Sequence, residues 1–264
     1  DSFRFHATTP TRFLNDATEK YDIIINQYAR PWKSVNTPWF RSEFYKNCLL
    51  QLSEEGLMVQ NIQSSHLDNP TLETVIATFG SVFHQTSIWN LGHGEWMLIG
   101  TREKREWSLD LLKERIESKE AQAILQTQDL AIWPMLLTTQ ITGFENGFHL
   151  VPDESLIHSK NFPSLRMLGN NAYLSPSALT LLEEANEHFD AHPSMILKDF
   201  ARPNPWTVDQ LRAFSILQLN HQLYAPKVFR SIVRRWLSHS PEETALQILA
   251  SSTSKAESSW AYEA

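Results

Sequence analysis

The stretch from Tyr21 to Gln63, YDIIINQYARPWKSVNTPWFRSEFYKNCLLQLSEEGLMVQNIQ, decides the fold, because it reads as strand, loop, helix and strand in one pass. Its β-branched run Ile23–Ile25 is typical of a buried parallel strand. Apolar residues recur at helical spacing over 37–52, which predicts a helix, and its first residue, Thr37, can cap it. Residues 53–56 are predicted to close the helix, and Leu57–Ile62 is predicted to be the next strand.

The flanking sequence extends this pattern into an open α/β sheet. Phe3–Ala7 alternates as a strand does, and Asn69 with Pro70 is predicted to open a helix. Thr86–Trp89 and Trp96–Gly100 are predicted to form a hairpin that ends the sheet. Shorter helices are predicted at Arg12–Thr18, Ser108–Ile116 and Leu130–Leu137.

Beyond about residue 175 the patterns are helical throughout, and prolines separate the helices. We therefore predict three regions: an α/β domain over 1–105, an α/β extension packing on it over 106–174, and an α-helical region over 175–264.

Composition excludes several function classes. A net charge of −7 and a pI near 5.8 argue against a general nucleic-acid binder, which needs basic surface. The single cysteine, Cys48, excludes an intramolecular disulfide and a multi-cysteine zinc site, and its place in a helical pattern predicts a core residue. The glycine-rich phosphate loops are absent from the sequence. The cluster Glu187–His192 is interpreted as a surface helix end, so no metal site is expected.

Several segments in order carry a family resemblance: Tyr21–Ile25, then Pro31-Trp32, then Glu43-Phe44-Tyr45, then Gly56 to Gln60. They resemble the spermidine synthase (polyamine aminopropyltransferase) family. The resemblance is to the bacterial branch in which such a domain follows a membrane transporter-like part. It covers 1–105 well and 106–175 weakly.

The resemblance implies a Rossmann-like fold of the S-adenosylmethionine methyltransferase type. It also implies transfer of an aminopropyl group from decarboxylated S-adenosylmethionine to a diamine, with acids that bind and deprotonate the amine. Those acid positions fall on Gln27 and Arg30. The amide of Gln27 cannot take a proton, and the charge of Arg30 opposes a cationic substrate. We therefore expect aminopropyl transfer to be lost and polyamine binding to be weak.

Four other ligand-binding candidates follow from the resemblance or the predicted fold. Thr9 falls where the family contacts adenine, and Gln60 and Trp89 fall where it contacts the polyamine. Gln60 is alternatively a strand-end hydrogen bonder and Trp89 a core residue. His93 lies on the predicted hairpin turn, near the expected ligand side. A further acidic motif of the family falls on residues 158–163, where the acids are missing.

The resemblance also implies two earlier strands, which carry the cofactor loop and which this chain does not show. Without them Ile23–Ile25 becomes an apolar edge of the sheet, so we expect the chain to be the C-terminal portion of a longer protein, or to pair with another strand. S-adenosylmethionine or its decarboxylated form would then bind through an upstream half, since no cofactor loop is visible here. We expect a cytoplasmic location, with membrane association through a missing N-terminal part as an open alternative.

Three functions stay open. The first is a catalytically degenerate spermidine synthase-like domain that acts in binding or regulation. The second is an active aminopropyl- or methyltransferase whose glycine-rich loop lies upstream. The third is a protein-interaction module that works through the helical tail. The lost acids favour the first.

Overall fold

The computed structural model describes residues 5–63, 67–92, 94–104, 108–127, 139–142 and 156–165. Five helices and five strands lie within them: α1 (Pro10–Asp16), β1 (Tyr21–Asn26), α2 (Ser42–Gln51), β2 (Leu52–Gln63), α3 (Asn69–Gly80), β3 (Gln85–Gly92), β4 (Glu95–Thr101), α4 (Leu109–Ile116), α5 (Lys119–Gln126) and β5 (Gln140–Thr142). A short 3-10 helix (Thr37–Phe40) precedes α2. The chain divides into two compact units, one of 1–88, 95–105 and 144–180 and the other of 89–94, 106–143 and 181–264.

The sheet has the order β1-β2-β4-β3-β5 and mixes strand directions. β1 runs parallel to β2, with Asn26 opposite Gln60, and α2 forms the crossover between them. β4 runs antiparallel to β2. Gly94, at φ 76°, sits between β3 and β4 in the left-handed region that glycine tolerates. The predicted strand–helix–strand unit, the β3–β4 hairpin and the α/β class are confirmed. The hairpin does not end the sheet as predicted, because β5 follows β3 in the strand order.

The core of the first unit is an aromatic cluster beneath β4. The Tyr45 ring meets the Phe79 ring edge-on at 5.1 Å, and the Phe79 and Phe83 rings lie 4.6 Å apart. A Cβ atom on Gly100 would come within 2.6 Å of Phe83 and 2.8 Å of Phe79. Only a residue without a side chain lets the helix and strand approach this closely.

Two strand predictions need correction. The described part of the Phe3–Ala7 prediction, residues 5–7, is not in a strand, and the Phe5 side chain is exposed. β1 is parallel as predicted, but Ile23 and Ile25 are 57% and 55% exposed rather than buried. The reason is that β1 ends the strand order and pairs only with β2 among the described strands.

The predicted helix over 37–52 is also wrong at both ends. It is split at Arg41, whose backbone is extended (φ −78°, ψ 148°), so α2 begins at Ser42. Residues 53–56 do not close the helix, because β2 begins at Leu52 directly after α2. There the side chain of Arg102 donates to the Leu52 carbonyl at 2.6 Å.

Other expectations stand as follows. α3 opens at Asn69 as predicted, with the Asp68 carboxylate accepting from the Thr71 N–H at 3.0 Å. The helices predicted at 12–18 and 108–116 are present as α1 and α4. Cys48 is buried, and burial raises the pKa of its thiol to about 12, so it is a core residue. The predicted helix 130–137, the helical region 175–264 and the Glu187–His192 cluster lie outside the described residues.

The predicted domain boundaries and the upstream half stay predictions. Within the described ranges, every helix is too short or too polar to cross a bilayer.

His158 explains why the predicted long helix is interrupted. Its buried ring accepts from the Leu165 N–H at Nδ1 (3.3 Å), so Nε2 carries the proton and donates to the Thr37 carbonyl at 3.0 Å. Its carbonyl accepts from the Ser42 N–H at 2.9 Å, and its own N–H donates to the Thr78 hydroxyl at 2.8 Å. A continuous helix would use the Thr37 carbonyl and the Ser42 N–H in its own hydrogen bonds, so these contacts with His158 interrupt it. We call this set of contacts the His158 latch.

The latch makes stability depend on pH. Burial lowers the pKa of His158 from 6.5 to about 4, and the nearby Arg41 acts the same way. Below about pH 6.5, His158 binds a proton in the unfolded chain but not in the folded chain. The free energy of unfolding therefore falls as the pH falls from about 6.5 to about 4. We expect the free energy of unfolding to drop by about 2 kcal/mol between about pH 7 and about pH 5 from this residue.

Urea unfolding at several pH values measures the effect. His158→Gln keeps a donor for the Thr37 carbonyl but has no titrating group, so its pH profile should be flatter over the same range. Equal slopes for the two proteins would contradict the assignment.

Candidate functional site

The candidate site is the loop that follows β1, where the parallel strands β1 and β2 end side by side. The carboxyl ends of parallel strands form the edge where open α/β sheets bind ligands. Asn26 and Gln60 face each other in register at this edge. Residues 27–31 leave from it, and Gln27 and Arg30, which occupy the expected acid positions, lie in this loop with exposed side chains.

Gln60 is completely buried and uses its whole amide within the protein. Its Oε1 accepts from Asn26 Nδ2 at 2.7 Å and from the Tyr45 hydroxyl at 3.1 Å. Its Nε2 donates to the carbonyls of Tyr28 at 3.0 Å and Asn61 at 2.8 Å. A glutamine amide has two acceptor sites and two N–H donors, so no capacity is left for a ligand. Two roles are expected for Gln60, contact with the polyamine and hydrogen bonding at the strand end. The geometry matches the hydrogen-bonding role.

Asn26 is satisfied in the same way. Its second amide proton goes to the Trp39 carbonyl at 3.0 Å, and its Oδ1 accepts from the Tyr28 N–H at 3.2 Å. Buried polar groups without partners cost free energy, so this closed set of bonds holds the loop in one arrangement.

Two exposed pairs continue the contact between the loop and β2. Asn61 Nδ2 donates to Gln27 Oε1 at 3.1 Å, and Arg30 Nε donates to Gln63 Oε1 at 2.5 Å. We call the three pairs Asn26–Gln60, Gln27–Asn61 and Arg30–Gln63 the amide ladder. Every acceptor in it is a neutral amide oxygen. The sequence contains no Asp or Glu anywhere between Asp22 and Glu43, so this stretch offers no carboxylate to an amine.

The segment matched to the family's second acidic motif is used for packing. It carries the His158 latch, and the Lys160 N–H donates to both oxygens of the Glu43 carboxylate at 3.0 and 3.1 Å. Partial burial acts to raise the pKa of Glu43, but these bonds and the charge of Arg41 lower it overall. A carboxylate with a lowered pKa is a weak base.

Thr9 is not part of the amide ladder. Thr9 caps α1, with its hydroxyl accepting from the Arg12 N–H at 3.4 Å. Trp89 is half-buried in β3 and belongs to the second compact unit. His93 lies outside the described residues. Of the predicted site residues, the structure therefore brings together Gln27, Arg30 and Gln60.

Sequence reasoning missed Asn26, Tyr45 and the structural role of His158. Asn26 ends an apolar run, which is a detectable signal for a polar group placed at the strand end. Tyr45 was part of a family motif, but nothing local shows that its hydroxyl meets Gln60 across the sheet. His158 acts over 121 residues of sequence separation, which no local pattern reveals.

Binding of the expected cofactor stays a prediction. The Thr9 hydroxyl, at the position expected to meet adenine, is engaged as a helix cap, and the sequence has no glycine-rich phosphate loop. A metal is not provided for either: across the described ranges, no three His, Cys, Asp or Glu side chains cluster in a way that could hold one.

Replacing the Gln60 amide should be costly. Gln60→Leu removes the bonds that Gln60 makes to the Tyr45 hydroxyl, one Asn26 proton and two carbonyls, so we expect a loss of about 3 kcal/mol of unfolding free energy. Tyr45→Phe removes one hydroxyl while the Gln60 oxygen keeps its bond to Asn26, so about 1 kcal/mol is expected. Urea unfolding of both variants checks the order, and a Gln60→Leu protein as stable as the wild type would contradict the network.

Comparison with known proteins finds a family match for the segment that carries the strand–helix–strand unit. Residues 2–91 match the model of the spermine/spermidine synthase domain. No individual curated protein matches the chain. The matched family is related to S-adenosylmethionine-type transferases, and the matched range includes β1, α2, β2, α3 and most of β3. Residues 2–91 are therefore similar to the spermine/spermidine synthase domain, and the α/β sheet is consistent with the Rossmann-like fold of that domain.

Proposed function

We propose that this spermidine synthase-like domain does not transfer aminopropyl groups and acts instead as a binding or regulatory domain. The observation that carries the proposal is the loop after β1. It places Arg30, permanently charged, and the neutral Gln27 at the two expected acid positions.

The chemistry of the transfer explains why this matters. A diamine is a dication near neutral pH, so it must be held by carboxylates, and one amine must lose a proton before it attacks. Gln27 offers an amide oxygen but no base. Arg30 adds a positive charge at the place where the cation would bind.

Neither Gln60 nor Glu43 replaces the missing base. The Gln60 amide makes four hydrogen bonds within the protein, so an amine could bind it only by breaking one of them. Glu43, the first acid after the loop in sequence, has a lowered pKa because its carboxylate accepts the Lys160 N–H. These two facts support a binding role over transfer.

We expect the wild-type protein to give no transfer product from decarboxylated S-adenosylmethionine and putrescine, and no saturable putrescine binding by calorimetry. Arg30→Asp, alone or with Gln27→Asp, should gain measurable putrescine binding, because it replaces repulsion by attraction at an exposed position. The gain should be modest, about tenfold at most, since exposed ion pairs are weak.

Lys46→Asp is the matched control. It makes the same change of charge at an exposed position of α2 in the same compact unit, outside the loop. It should leave putrescine binding unchanged. Tight putrescine binding or product formation by the wild-type protein would overturn the proposed function.

A further inference from the structure

We propose that the loop after β1 binds a small aromatic anion, meaning a carboxylate or phosphate attached to a planar ring. The residues concerned are Tyr28, Arg30, Lys33 and Trp39, which we call the basic rim. The inference rests on the proposed function, because it assigns a ligand class to the loop that polyamine chemistry has left.

Arg30 is held in place although its side chain is exposed. Its carbonyl accepts from the Lys33 N–H and from Asn36 Nδ2, both at 3.2 Å. Its Nε donates to Gln63 Oε1 at 2.5 Å, so the guanidinium is anchored at one edge. The two terminal nitrogens have no partner in the described part of the chain, and they form the end-on fork that suits two oxygens of a carboxylate or phosphate.

This anchoring matters for affinity. An arginine on a free surface loses rotamer freedom when it binds an anion, and that loss cancels much of the gain. Here the Gln63 contact and the two bonds to the Arg30 carbonyl have already restricted the side chain and its backbone. The positive fork is therefore presented before any ligand arrives.

Lys33 adds a second charge on the same loop. Its carbonyl accepts from the N–H groups of Asn36 at 2.8 Å and Thr37 at 3.1 Å, which fixes the backbone at this residue. Its ammonium group is exposed and makes no ion pair with any residue that the structure describes. Between residues 23 and 42 the sequence has three basic residues and no acid, although the whole chain carries a net charge of −7. Arg30 and Lys33 therefore give this loop a positive charge that favours anions.

A flat aromatic surface joins this loop, at Tyr28, to the following 3-10 helix, at Trp39. Tyr28 is 41% exposed, and its ring stacks on Trp39, with ring centroids 5.5 Å apart and planes 21° apart. Trp39 is held in turn by an edge-on contact with Phe44 at 5.6 Å. A ring supported in this way offers one rigid face to a planar group. This surface is the reason for proposing an aromatic anion rather than a free inorganic one.

The experiment measures binding of benzoate and phenyl phosphate to the full chain by titration calorimetry. Acetate and inorganic phosphate test the contribution of the ring, and benzyl alcohol tests the contribution of the charge. We expect saturable binding of at least one aromatic anion, and weaker binding by about tenfold for its ring-free or uncharged counterpart. The benzoate and phenyl phosphate arms tell which oxyanion the fork prefers.

Variants locate the binding. Arg30→Gln should weaken binding by about tenfold, because it removes a charge-assisted bond, and Lys33→Gln should weaken it several-fold. Lys46→Gln, at an exposed position of α2, should have no effect. Gln63→Leu keeps the charge of Arg30 but removes the partner of its Nε. It should also weaken binding, because the guanidinium is then no longer held in place. Tyr28→Leu should weaken only the aromatic probes.

Two results would overturn the inference: absence of saturable binding by both aromatic anions, or equal losses for Arg30→Gln and Lys46→Gln. These results are independent of the proposed function. If the anions fail to bind and putrescine also fails, the inference alone is wrong. If putrescine binds or reacts, the proposed function is wrong whatever the anions do.

Discussion

The buried amide of Gln60 is the interaction on which the arrangement at the sheet edge depends. Its side chain is completely buried, where a hydrogen-bonding position without a partner costs free energy. The partners come from β1, α2 and the loop, so filling them joins the three. The loop conformation therefore follows from satisfying one amide rather than from the loop sequence alone.

This constraint also explains how the loop is held without an acid. The amide ladder holds the loop with neutral acceptors, so no carboxylate is needed to position it. Arg30 is then free to contribute a positive charge at the outer edge, anchored through Gln63. A loop built on acids would attract amines, whereas this one carries a cation anchored through Gln63 and, two residues earlier, an exposed tyrosine.

The sequence predicts what depends on local pattern and misses what depends on distant partners. The strand–helix–strand unit, the hairpin and the capped start of α3 follow from periodicity and capping residues, and all are present. The exposure of Ile23 and Ile25 could not be predicted from periodicity, since a β-branched run does not show which strand lies at the edge. The break at Arg41 could not be predicted either, because His158, more than a hundred residues later, takes the Thr37 carbonyl. The roles of Gln27 and Arg30 rested on the family resemblance, and their hydrogen-bonding partners required the structure.

The most direct test of the account is the state of the Gln60 side-chain amide, observed by nuclear magnetic resonance in the native protein. If both amide protons are held by the Tyr28 and Asn61 carbonyls, they exchange with solvent far more slowly than those of an exposed glutamine such as Gln27. Their resonances also stay unchanged when putrescine is added. Rapid exchange, or a shift on addition of putrescine, would contradict the claim that this amide is spent within the fold.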